Sequence, residues 1–187
     1  MPLSELIRLR MAWLPYLEFA MCVARILGHL GYTDIPFPSR LTYKGANADG
    51  GADLRARRTS PSGTELVLIQ LKRYKDDNRP VPRLAVDQLR GKLLFDAVPS
   101  GLGITTTTYS DEAKKAAAGY PGRPVRLIEG RELGELAIAA RIGVLERHNP
   151  ITNKFELAFD ELWFDRIKGE CDKLREAEKA KRKKHGK

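Results

Sequence analysis

The chain has 187 residues, of which 42% are apolar, and a formal net charge of +9. That length supports one compact domain with a real core plus an appendage, and would crowd two full domains. Residues 171–187 hold eight Lys or Arg against three acids, a local +5, so the other 170 residues carry only +4. A basic chain meets a polyanion, and nucleic acid is the commonest soluble one. The tail taken alone reads equally well as a solvated lysine-rich extension.

Two cysteines, Cys22 and Cys171, lie far apart among helix-forming residues and make neither a disulfide framework nor a zinc site. The opening "MPLSELIRLRMAWLPYLEF" scatters acids and arginines through its apolar residues, which excludes a signal peptide or a membrane span. The expectation is a soluble, cytoplasmic protein with no membrane partner.

In chain order, a short amphipathic lead-in precedes Pro15, which suits a first helical turn, and "YLEFAMCVARILGHLGY" follows with apolar residues at helical spacing. Gly28 and Gly31 stop that helix. Residues 33–51, rich in Pro, Gly, Asn and Asp, read as a loop. Two strands are expected at about 52–58 and 65–72, joined by the turn residues "TSPSG". A helix over "PRLAVDQLRGKLLFDAV" leads to a β-branched strand "GLGITTTTY", and "SDEAKKAAAGY" forms a short helix with Ser110 at its N-cap. "RPVRLIEG" supplies a last strand and "RELGELAIAARIG" a helix.

This alternation implies an α/β fold, a mixed sheet with helices on both faces. From about residue 142 the pattern changes. Phe159, Trp163, Ile167, Cys171 and Leu174 recur at steps of four or three, an apolar stripe on a long helix that either docks on the parent domain or pairs with a second copy. The expected division is therefore 1–141 and a helical extension with a basic tail, 142–187.

A hairpin centred on Ser60–Gly63 pairs residues whose numbers sum to about 123, which sets Asp53 opposite Gln70, with side chains roughly 5 Å apart at Cβ. Lys72, two residues on, projects from the face that Gln70 uses. A hard cation such as Mg²⁺ takes oxygen ligands and keeps several waters. Asp53 would be its main protein ligand, with the Gln70 side-chain oxygen and the Leu71 carbonyl beside it. Lys72 would orient a metal-activated water and neutralise charge growing on phosphorus, which is phosphodiester hydrolysis. Polar residues at strand ends are also common for no chemical reason, and a slip of one residue would part the group. His29, His148 and His185 are scattered and lack a partner nucleophile. The threonines at 105–108 read as plain strand.

Several segments together resemble the Mrr-like restriction endonuclease domain of the PD-(D/E)xK nuclease superfamily. "YLEFAMCVARILGHLGY" is similar to its first helix, "ADGGADLRA" to the segment of the metal-binding aspartate, and "VLIQLKRY" to the Q-x-K form of the second motif. "GLGITTTTYSDEAKKAA" and "VRLIEGRELGELA" resemble the strands and helices that follow. The likeness covers about residues 14–138. It implies a restriction endonuclease-like central mixed β-sheet flanked by helices, and Mg²⁺-dependent DNA cleavage, with Mn²⁺ able to substitute.

Carried over by position, Glu18 is the first-helix acid, Asp53 the metal ligand, Gln70 the replacement for an Asp or Glu, and Lys72 the catalytic lysine. Glu18 would then supply the negative charge that glutamine gives up and join Asp53, Gln70 and Leu71 around the metal. Asp49, in a Gly-rich turn, is foremost a turn residue and secondarily a second acid. Members of this family often carry a separate recognition domain, for which the residues before 14 leave no room. Specificity is thus expected in loops, in a partner recognition subunit or in DNA structure. Two alternatives stay open: a homodimeric nuclease acting on branched, Holliday-junction-type DNA, and a non-catalytic DNA-binding module on the same fold.

Overall fold

The computed structural model describes residues 1–36, 51–61, 63–75 and 79–185. Asp49, the reserve acid, lies outside these residues.

The β2–β3 hairpin organises the molecule. In β2 (Leu54–Ser60) the sequence alternates: Leu54 and Ala56 point into the core while Arg55, Arg57 and Arg58 stay in solvent. β3 (Gly63–Lys72) lacks that alternation over Val67–Leu71, where all five residues are buried. A strand covered on both faces reads as a continuous apolar run. β1 (Tyr32–Thr33) pairs antiparallel with β2, β2 with β3, and then β4 (Ser100–Thr105) and β5 (Val125–Ile128) add in parallel, giving the order β1-β2-β3-β4-β5. This is the mixed sheet expected from the sequence.

Helices cover both faces. The odd-numbered β3 residues Val67, Ile69 and Leu71 join one core with α1 (Leu3–Trp13), α2 (Tyr16–His29) and α5 (Gly130–Ala139). Leu66 and Leu68 face a second core with α3 (Arg83–Phe95) and α4 (Asp111–Ala118). Ser110 caps α4 as expected, its hydroxyl accepting from the Ala113 N–H at 3.2 Å. α1 and α5 touch so closely that a Cβ on Gly134 would collide with the Ser4 carbonyl.

Four features differ from the sequence reading. The lead-in before Pro15 is a full helix, α1, with Ile7, Met11 and Ala12 buried. Tyr32 and Thr33 form an edge strand, where Tyr32 was expected to close the first helical segment and Thr33 to open a loop. The threonine run leaves the sheet after Thr105. Most notably, residues 142–187 are not all helix: β6 (Val144–Asn149) and β7 (Lys154–Phe159) form a separate two-stranded ribbon before α6 (Glu161–His185). Phe159 therefore sits on a strand. The stripe of α6 is Phe164, Ile167 and Cys171, buried against the α2 side of the first core, so it docks on its own domain. Trp163 is only half-buried.

Candidate active site

The hairpin register runs from Ser60↔Gly63 to Leu54↔Ile69, each pair summing to 123 as the turn residues imply. One step further would set Asp53 against Gln70, but there the ladder ends. The Asp53 N–H donates to the Ile69 carbonyl at 2.7 Å, and the Asp53 carboxylate accepts from the Leu71 N–H, also at 2.7 Å. The acid thus continues the ladder with its side chain and is held between the backbone positions of Gln70 and Lys72. In a strand the N–H and C=O of one residue face the same neighbour. The Leu71 carbonyl is therefore turned toward Asp53 as well.

Gln70 is 3% exposed and Lys72 half-buried. By strand alternation both lie on the α3 face, with Leu66 and Leu68. Lys72 is fixed through its main chain: its carbonyl accepts from the Thr105 hydroxyl at 2.8 Å and the Thr106 N–H at 3.2 Å. The Thr106 hydroxyl exchanges hydrogen bonds with the Tyr74 N–H at 2.9 Å and its carbonyl at 2.8 Å. Thr105, Thr106 and Thr107 are all buried, so this run braces the end of the Q-x-K strand rather than alternating between faces. The sequence signal for that role was a run too long for its strand.

Gly51 explains how the segment carrying Asp53 reaches its place. Its φ is +113°, and an added Cβ would lie 2.9 Å from the Gln88 carbonyl carbon and oxygen on α3. Only glycine lets the chain pass so close to the helix backbone in that conformation.

α2 approaches from the other side. The Tyr16 hydroxyl is buried with no well-aligned partner among the described residues, and burial, then the neighbouring Asp53 charge, push it above the ordinary tyrosine range. Glu18 follows two residues later, about 200° around the helix. It is 1% exposed, and its immediate partner is Arg175 of α6, at 2.9 Å to one carboxylate oxygen and 3.1 Å to the other. Asp53, Gln70 and Lys72 thus gather at one strand end, while Glu18 is engaged at the α2–α6 interface. The buried, unpaired Cys22 and Cys171 belong to that same interface core. His29 is exposed, and His148 packs edge-on against Phe155 at 5.4 Å on the β6–β7 ribbon.

The groups at the strand end that could hold an ion are oxygens: the Asp53 carboxylate, the Leu71 carbonyl and the side-chain amide oxygen of Gln70. Among the described residues no three His, Cys, Asp or Glu side chains cluster into a metal cage. Such a set fits a hard cation that keeps much of its own water, and does not fit a soft ion that needs a closed shell of nitrogen or sulfur.

The sequence model of a restriction endonuclease family, the Mrr catalytic domain, matches residues 12–137, more than half of the chain. The chain belongs to this family of restriction endonuclease domains. The matched span runs from the end of α1 into α5 and includes Glu18, Asp53, Gln70 and Lys72. Among solved structures it is similar to the DNA modification-dependent restriction endonuclease AspBHI, with a TM-score of 0.58 and 22% identity over 90% of this chain and 39% of that one. The MspJI restriction endonuclease, solved in complex with a 27-mer oligonucleotide, matches at a TM-score of 0.48 and 22% identity over 67% of this chain and 28% of that one. The chain thus spans about two fifths of the length of AspBHI. Nothing among curated protein sequences matches it. Among the described residues no helix is long and apolar enough to cross a membrane.

Proposed function

We propose that the chain is a metal-dependent endodeoxyribonuclease of restriction or genome-defence type, hydrolysing phosphodiester bonds at the open end of the β2–β3 hairpin. The observation that carries this reading is Asp53, locked by its carboxylate to the Leu71 N–H between Gln70 and Lys72. Asp53 is the main ligand for a divalent cation, with the Leu71 carbonyl and the Gln70 amide oxygen beside it. Such an ion, Mg²⁺ or Mn²⁺, supplies Lewis acidity at the phosphoryl group and lowers the pKa of a bound water.

Lys72 brings a positive charge to the same face as Gln70. There it orients the attacking water and offsets the charge that grows on the phosphate. Thr105 and Thr106 hold the Lys72 main chain still, which matters because misplacement of a catalytic group by about 1 Å can cost two orders of magnitude in rate. Glu18, bound by Arg175, is assigned a supporting charge from α2 rather than a place in the ligand set.

The basic tail favours a nucleic acid substrate by releasing phosphate counterions. The buried stripe of α6 is spent within the chain, so the dimeric junction reading loses the surface that motivated it. The test is cleavage of plasmid, methylated plasmid and a four-way junction side by side, with Mg²⁺ or Mn²⁺ and with EDTA. Cation-dependent cutting of plasmid is expected. Junction cut in strong preference to linear duplex would favour the branched-DNA reading. Tight binding without cutting in either metal would favour the non-catalytic one.

A further inference from the structure

α1 ends beside the strand that carries Lys72. The Arg73 guanidinium donates to the Ala12 carbonyl at 2.9 Å, tying the residue after Lys72 to the last turn of that helix. Ala12 and Leu14 are buried, at 1% and 3% exposure, yet Trp13 between them is 60% exposed. Its backbone is thus clamped on both sides while its indole stands in solvent. The Lys75 ammonium lies over that ring, 4.4 Å from the centroid.

An exposed tryptophan on a fixed backbone contributes nothing to the core, and its desolvation by a partner would be favourable. The cations beside it, Lys75 over the ring and Arg73 on the preceding carbonyl, select a polyanion as that partner. A planar π-surface next to an ammonium is what a nucleotide needs: a base stacks on the ring while its phosphate meets the cation. In an intact duplex the base faces are covered by their neighbours, so stacking on a protein ring requires an unpaired or extruded base.

We infer that Trp13 and Lys75 form a nucleotide-stacking platform that holds an unstacked base of the DNA strand led to Lys72. This rests on the DNA-cleaving reading above. The molecule holds a natural control. Lys92 stands over Phe95, itself 86% exposed, at 5.3 Å from the ring centroid. That pair closes α3 just before β4 begins at Ser100, whereas Lys72 pairs with Thr105 at the strand's other end. It offers the same chemistry in the wrong place.

The experiment uses the full chain in EDTA, binding an intact duplex, a gapped duplex and a single strand. Trp13→Ala should weaken binding to the gapped and single-stranded DNA by ~5- to 150-fold, the range of one lost base–aromatic stack. Trp13→Phe should recover part of the loss, and Phe95→Ala should change nothing. With Trp163→Phe, Trp13 is the one tryptophan left of two, and its emission should be quenched by the single strand.

Equal affinities for wild type and Trp13→Ala, with Trp13 emission unchanged by DNA, would overturn the inference. An equal loss on intact and gapped duplex, or a matching loss with Phe95→Ala, would also overturn it. Wild-type protein that still cuts plasmid in those cases leaves the nuclease reading standing, whereas wild type that neither binds nor cuts removes both.

Discussion

The two sides of α2 meet different chemistry. Toward β2, Tyr16 brings a buried hydroxyl to an Asp53 whose carboxylate is anchored to the main chain of the Q-x-K strand. Toward α6, Glu18 lies deeper, at 1% exposure, and spends its charge on Arg175. Asp53 is half-buried, its carboxylate accepting from the Leu71 N–H beside the Tyr16 hydroxyl. Glu18 is packed beside Cys22 and Cys171 with a cation of its own. The lesson is that two acids two elements apart, both legible as motif residues, need not serve the same chemistry. What decides is which neighbour already neutralises each of them.

The contrast can be broken at several points. The largest effect is expected at the strand end, where removing the Asp53 carboxylate or the Lys72 amine should cost at least ~10²-fold in cleavage. Glu18→Gln should cost less than either, because its charge already serves Arg175. A loss as deep as that of Asp53→Asn would place Glu18 in the ligand set after all.

Next comes stability at the α2–α6 side. Arg175→Ala leaves a buried carboxylate without its cation, and the Arg175 side chain is 37% exposed. The cost should fall between an exposed and a buried pair, ~1–3 kcal/mol, or several degrees in Tm. Adding Glu18→Gln should recover part of it, and strictly additive losses in the double-mutant cycle would deny the coupling.

An effect of similar size tests the backbone that carries Asp53. Gly51→Ala sets a Cβ against α3 at a φ of +113°, with a strain of ~1–3 kcal/mol. It should lower Tm and cleavage together, since Asp53 lies two residues on. Unchanged cleavage in a destabilised Gly51→Ala protein would show that the loop does not position Asp53.

Much of this was legible in the sequence, for identifiable reasons. The hairpin register followed from its turn residues, and Ser110 was readable as a cap because its bond is local. That register carries Asp53 to the end of the Gln70–Lys72 strand, where its carboxylate meets the Leu71 N–H instead of standing in a pair with Gln70. What could not be read required contacts between distant segments. Glu18 looks like any helix-start acid until Arg175, 157 residues later, is seen to reach it. The ribbon of β6 and β7 was missed because its residues are mostly exposed, so neither strand shows a clean alternation of period two. The threonine run looked like strand, and only the position of the Lys72 and Tyr74 carbonyls shows it to be a brace.

We assign DNA cleavage to the open end of the β2–β3 hairpin. The most direct test is the metal-dependent plasmid cleavage rate of Asp53→Asn and Lys72→Ala at equal DNA binding and unchanged Tm. Both variants should lose cleavage almost completely while still binding DNA. Cleavage by either variant at the wild-type rate would contradict the assignment.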